Sequence, residues 1–85
     1  LSAYSSSKSA LCGLTECLAE EFKTKNISVN CLAIGAVQTE MLAKAFPGYK
    51  APLLPKEMAA FIYSFTCNGH QFFNGKILPV SSTTP

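Results

Sequence analysis

Leu11, Leu14, Leu18 and Phe22 recur at three- and four-residue intervals, with Glu16, Glu20, Glu21 and Lys23 on other faces. This period predicts one amphipathic helix over residues 2 to about 25, in a stretch that holds no proline. Ser2 is suited to cap its start, and Asn26 to take the left-handed turn that ends it. The period then changes. In "ISVNCLAIG", Ile27, Val29, Cys31 and Ala33 alternate with Ser28, Asn30, Leu32 and Ile34, so both faces become apolar toward the carboxyl end. A strand buried on both sides, as in a parallel sheet, has this pattern. Gly35 stops it.

Beyond Gly35, Thr39 is placed to cap a short helical run that reaches Ala45, and breaks follow at Pro47, Gly48, Pro52 and Pro55. The expectation is a short helix and then a long, mobile connection of the kind that often serves as a binding lid. Pro55 suits the first position of a further helix, in which Met58, Phe61, Ile62 and Phe65 share a stripe and Asn68 and Gly69 mark the end. Asn74 and Gly75 form a turn signal before a strand over residues 76–80. Helix, strand, helices, strand is an α/β order, and the two strands with their helical crossover predict a parallel, right-handed unit. No internal repeat is present.

Composition narrows the function. The chain has 85 residues, 48% hydrophobic and 14% charged, which describes one small globular unit that buries only about 60–65% of its unfolded surface. The net charge is +2, carried on scattered lysines without arginine. There is no basic stripe and no guanidinium fork for phosphate, which argues against a nucleic-acid partner. No segment approaches a membrane span, and the N-terminus lacks the regions of a signal peptide. Cys12, Cys17, Cys31 and Cys67 have no C-x-x-C spacing, and His70 is the only histidine, so no metal site is expected. Cysteines set in apolar runs behave as small reduced hydrophobes, which suits a cytoplasmic setting. The chain starts without Met and reads as a piece of something longer.

The candidate chemistry lies in "AYSSSKSAL". Tyr4 and Lys8 are four positions apart, which puts them on one helix face with Cβ atoms about 5–6 Å apart. On an exposed helix such a pair contributes only a few tenths of a kcal/mol. To act as an acid/base, a phenol with a reference pKa near 10 needs about 4 kcal/mol of help at neutral pH. A cation about 5 Å away supplies roughly 3 kcal/mol at an effective dielectric of 20, and well under 1 in water. The pair therefore works only in a partly dry cleft. The three serines between the two residues leave room for a flat cofactor to approach the helix.

Tyr4-Ser5-Ser6-Ser7-Lys8 resembles the Y-x-x-x-K signature of the short-chain dehydrogenases/reductases. Ser9-Ala10-Leu11, "LAEEF" at residues 18–22, "ISVNCLAIG" and Val37-Gln38-Thr39 continue the resemblance in order, and "NGKILPV" is similar to the family's last turn and strand. It covers essentially the whole chain. It implies the C-terminal half of a Rossmann-type, doubly wound parallel sheet, with residues 1–85 as one fragment of a single domain. It also implies an alcohol/carbonyl oxidoreductase using NAD(H) or NADP(H). Tyr4 would be the general acid/base that exchanges a proton with the substrate oxygen. Lys8 would bond the nicotinamide ribose and bias the phenol toward its ionised form. Val37, through its backbone, and Thr39, through its hydroxyl, would hold the carboxamide near Gly35. Residues 40–54 would form the substrate loop, and the partners would be a small-molecule alcohol or carbonyl compound and a second copy of the chain in a homo-oligomer.

Three departures qualify the resemblance. Ile34 stands where the family has proline before the glycine. "VSSTTP" replaces the family's D-G-G near the end, which bears on any subunit contact made by that tail. The Gly-rich turn, acidic ribose partner, catalytic serine and structural asparagine of the family all belong upstream of Leu1. The expectation is an oxidoreductase parent whose fragment is inactive alone. The competing reading is a non-catalytic interaction module that associates through the stripe of Leu11, Leu14, Leu18 and Phe22.

Overall fold

The computed structural model describes residues 1–35 and 37–82, so the last three residues of the departing tail lie outside the described part. Five regular elements run in the order α1 (Ser2–Phe22), β1 (Cys31–Ile34), α2 (Glu40–Ala45), α3 (Pro55–Asn68) and β2 (Ile77–Val80), with 3-10 turns at Lys23–Lys25 and Gly69–Gln71. The two strands pair in parallel, Cys31 opposite Ile77 and Ile34 opposite Val80. The order and the parallel pairing are those expected from the sequence. No described helix is long and apolar enough to cross a membrane.

Helix α1 starts one residue earlier than its expected cap. Leu1 occupies the cap position without a side-chain bond, and Ser2 is the first helical residue. The other end is as expected: after the 3-10 turn, Asn26 adopts φ 59° and ψ 40°, a conformation its short polar side chain tolerates. Thr39 caps α2 by accepting a hydrogen bond from Leu42 N at 3.2 Å. Pro55 opens α3, and Glu57 Oε1 accepts from Leu54 N at 2.8 Å. α3 ends at Asn68 with Gly69 at its C-cap, as expected, and Gly69 keeps right-handed dihedrals and leads into the 3-10 turn. A Cβ on Gly69 would lie 2.8 Å from the Phe65 ring, so this glycine makes room for an aromatic neighbour.

β1 is shorter than the alternation of residues 27–34 predicts. Residues 28–30 are extended toward the 73–76 turn, but side chains carry much of the bonding there. Asn74 Oδ1 accepts from Val29 N at 2.9 Å, Asn30 Nδ2 donates to Phe73 O at 3.1 Å, and Lys76 N donates to Asn30 Oδ1 at 3.0 Å. Gly75, at φ 71°, completes the turn with its N–H on Val29 O. Two asparagines thus replace ladder bonds and hold the strand starts together. Further along, Cys31 N donates to Lys76 O and Gly35 N to Val80 O. The even-numbered residues of β2 therefore face β1, and Pro79, which has no N–H to donate, turns that side to the outer edge.

On α1, Thr15 and Ala19 are buried and Cys12 is half-buried; of the apolar stripe, Leu18 and Phe22 are half-buried and Leu11 and Leu14 remain 49% and 52% exposed. The Thr15 hydroxyl donates to Leu11 O at 2.7 Å, so a small polar residue sits in the seam without an unpaired group. In α3, Met58 is buried and Ile62 and Phe65 are half-buried, while Phe61 stays exposed with its ring 6.2 Å from that of Phe65. α1 lies over the Cys31 and Ala33 side of β1, and α3 borders the Asn30 and Leu32 side. β1 itself is only partly covered: Ile34 is 44% exposed. The accessible surface is 6413 Å², against about 4,900 Å² for a compact monomer of this length. The radius of gyration is 14.9 Å, against about 12 Å for a close-packed chain of this size.

Candidate active site

Tyr4 stands in the first turn of α1 and Lys8 one turn later. The Lys8 ammonium lies 5.4 Å from the centroid of the Tyr4 ring, the juxtaposition that their spacing requires on one helix face. Ser7 Oγ donates to Tyr4 O at 2.7 Å, so one serine of the intervening three braces the turn. Tyr4 is 64% exposed. In these 85 residues the pair is thus in the water-screened regime, where a cation and a phenol interact weakly.

The carboxyl end of β1 brings the other residues to the tyrosine. A cavity of about 450 Å³ is lined by Tyr4, Gly35, Val37 and Thr39. Met41, Leu42 and Phe46, from α2 and the residue after it, supply an apolar wall on the same cavity. Lys8 borders an adjoining space of about 460 Å³, which it shares with Tyr4, Cys12, Cys31 and Ile34. The other four residues singled out from the sequence therefore lie around Tyr4, Lys8 from the side of α1 and Gly35, Val37 and Thr39 from the end of β1. The apolar wall carries no sequence signal of its own, because Met41 and Phe46 read as ordinary positions of a short helix and its exit.

Two local features shape this end of the sheet. Any Cβ at Gly35 would collide with the Ser81 side chain just past β2, so glycine lets the two strand ends close together. The Thr39 hydroxyl spends an acceptor lone pair on Leu42 N and keeps its own proton for donation. Gln38, between the two, ties down the segment after α2: its N–H donates to Leu53 O at 2.9 Å, and its Oε1 accepts from Ala51 N at 2.8 Å. The expected long connection is thus anchored at two points. Deeper in the seam, partial burial, followed by the neighbouring Cys31 thiol and then Glu16, holds the Cys12 thiol above its ordinary pKa.

A sequence profile described as short chain dehydrogenase matches residues 1–50 of the chain. The chain belongs to the short chain dehydrogenase family. Dehydrogenase/reductase SDR family member 4 of Rattus norvegicus is 33% identical over 97 residues, covering 100% of this chain and 35% of that protein. The 3-oxoacyl-(acyl-carrier-protein) reductase FabG of Chlamydia trachomatis is 29% identical over 87 residues, with 91% of this chain and 35% of that protein covered. Among solved structures, 4-hydroxyisoleucine dehydrogenase complexed with NADH superposes with a TM-score of 0.70 at 30% identity, over 93% of this chain and 36% of that one. The short chain dehydrogenase chain described here thus spans about a third of the length of the relatives it matches. Its parallel β1–β2 unit with helices on both faces is part of a Rossmann-type α/β fold.

Proposed function

We propose that these 85 residues are the proton-transfer and nicotinamide-anchoring segment of an NAD(H)- or NADP(H)-dependent oxidoreductase acting on a small alcohol or carbonyl compound. The observation that carries this reading is the convergence of Tyr4, Gly35, Val37 and Thr39 on one cavity, with Lys8 beside the tyrosine ring. Membership of the short chain dehydrogenase family supports it, as does the NADH carried by the 4-hydroxyisoleucine dehydrogenase neighbour.

The residues fit a nicotinamide group. Thr39 has a hydroxyl proton free to donate to a carboxamide oxygen, the Val37 backbone lies beside it, and Gly35 adds no side chain to the cavity. When bound, the nicotinamide supplies or accepts the hydride. Tyr4 holds the proton at its phenolic oxygen and exchanges it with the substrate oxygen, a general acid/base role. Lys8 presents a positive charge to the ring and a donor to the ribose. Residues 40–54 form the substrate side, where Met41, Leu42 and Phe46 offer an apolar wall to the body of the substrate.

The chain spans about a third of the length of its relatives, and the family's Gly-rich turn and catalytic serine have no counterpart in residues 1–85, so on this reading residues 1–85 by themselves are inactive. The test is an assay of the longer reading frame that contains this segment, with NAD(H) and NADP(H) and a panel of alcohols and carbonyl compounds. Hydride transfer with one of the cofactors is expected, and a complete lack of it would contradict the proposal. The exposed Leu11 and Leu14 face favours a second reading, a non-catalytic module that associates through α1. Cofactor binding by the longer protein without any turnover is the outcome that would favour it.

A further inference from the structure

The dipeptide Asn-Gly occurs twice, at Asn68–Gly69 and at Asn74–Gly75. In this dipeptide the glycine nitrogen can attack the asparagine side chain, because glycine has no Cβ to stand in the way. The structure ties down both pairs, and ties them differently. Gly69 N donates to Phe65 O and Asn68 Nδ2 to Ser64 O at 3.2 Å, so the first pair is held by its own helix. Gly75 N donates to Val29 O at 2.8 Å, and Asn74 Oδ1 accepts from Val29 N at 2.9 Å. The nucleophile and the amide of the second pair are thus both held by one residue, 45 positions before Asn74.

Asn74 is exposed to water. It lines a space of about 240 Å³ together with Gly75 and with Glu16, Ala19 and Glu20 of α1. Glu20 is paired with Lys23 at 2.8 Å, and the described lining of the space contains two carboxylates and no cation. A Cβ at Gly75 would lie 3.1 Å from the Cβ of Ala19, which is buried. The turn therefore packs directly on the helix, beside its acidic side.

We propose that Asn74–Gly75 is a self-modification site, gated by Val29, whose product loosens the contact between this turn and α1. When residues 28–30 leave the turn, Gly75 N gives up its proton and attacks Asn74 Cγ. The N–Cγ bond forms, the Cγ–Nδ2 bond breaks, and ammonia leaves with the proton. Water then opens the cyclic imide. Cleavage of the new N–Cγ bond gives aspartate, and cleavage of the original peptide C–N bond gives isoaspartate, whose main chain is one carbon longer. Water is the only co-reactant. Either product sets a carboxylate beside Glu16 and Glu20, where like charges repel, and the longer main chain of isoaspartate also pushes the turn onto Ala19. This inference does not depend on the chemistry assigned to Tyr4.

Incubation of the longer protein at neutral pH, with and without concentrated urea, tests the gate when followed by peptide mapping that separates asparagine, aspartate and isoaspartate. In urea the two Asn-Gly pairs should react at similar rates, and folding should slow Asn74 about tenfold or more. Asn30→Ala removes two of the bonds that hold residues 28–30 to the turn. It should speed the reaction of Asn74 about fivefold and leave Asn68 unchanged, so Asn68 tells local opening from a general loss of fold. Equal rates at Asn74 with and without urea would overturn the proposal, as would an Asn30→Ala variant in which Asn74 is not accelerated or both sites are accelerated alike. Asn74→Asp tests the consequence, since Asp keeps an acceptor for Val29 N and adds only the charge. Its midpoint in urea should fall below that of the wild type, and added salt should narrow the gap; an unchanged midpoint would overturn the loosening of α1.

Discussion

Lys8 carries its ammonium 5.4 Å from the Tyr4 ring, and Cys12 lies one turn further along the same helix, next to Cys31. These residues set the expectations at the smallest scale. Lys8→Met in the longer protein should weaken cofactor affinity and lower the rate together, since the same ammonium serves ribose and phenol; calorimetry and initial rates measure the two effects. A variant unaltered in both would make Lys8 a solvated surface residue. Cys12 has a raised pKa, with burial as the first cause. A thiol of this kind keeps its proton further into alkaline pH, and the thiolate is the reactive form. Iodoacetamide should therefore label the exposed Cys17 and Cys67 before Cys12 at neutral pH, with Cys12 catching up as the pH rises. Peptide mapping by mass spectrometry checks the order. The Tyr4 and Lys8 pairing is legible from the sequence because helical spacing alone puts i and i+4 side by side. The burial of the Tyr49 hydroxyl is not, since no local pattern says which way a loop tyrosine turns.

Among the elements, β1 and its partner turn show where the sequence pattern stops being sufficient. Alternation extends the strand back to residue 27, but Asn30 and Asn74 take over the bonding, and side-chain bonds of this kind have no period. Asn30→Ala removes one bond to Phe73 O and one from Lys76 N. Both are exposed, so the cost should be about 1 kcal/mol, read as a lower midpoint in urea. Gly35→Ala should cost more, about 1–3 kcal/mol, because its Cβ meets Ser81 at the closing ends of the sheet. The sequence marks Gly35 as a strand stop and, through the family resemblance, as part of the cofactor site; the contact that requires glycine comes from a residue 46 positions away. In α1 the sequence names the helix but not its inner face. The helix is apolar on two sides, and the side with smaller residues, Cys12, Thr15 and Ala19, packs closest to the strand.

For the molecule as a whole, the excess of accessible surface over a compact chain of this length leaves large side chains uncovered. Leu11 and Leu14 on α1 and Tyr63 and Phe72 on and after α3 are exposed, more than a small monomer ordinarily carries. A two-stranded parallel sheet is also too small to be independently stable. The 85-residue chain in isolation should therefore self-associate, and Leu14→Glu, at an exposed position, should shift it toward monomer without loss of helix content. Sedimentation with far-UV circular dichroism tests both halves of that statement; an unchanged oligomer would place the contact elsewhere. The order of elements and the parallel pairing were legible, because period and turn residues are local. The convergence of Gly35, Val37 and Thr39 on Tyr4 was legible only through the family resemblance, because it depends on the reversal between α1 and β1 that brings the end of the strand back to the start of the helix.

The central claim is that Tyr4 moves the proton in a nicotinamide-dependent reaction, and Tyr4→Phe in the longer protein tests it most directly. Phe keeps the ring and its packing and removes only the exchangeable proton, where general acid/base catalysis contributes about 10² to 10⁴ in rate. The account predicts a loss of that order in turnover, followed by NAD(P)H absorbance, with cofactor affinity nearly unchanged. Wild-type turnover in Tyr4→Phe would contradict it.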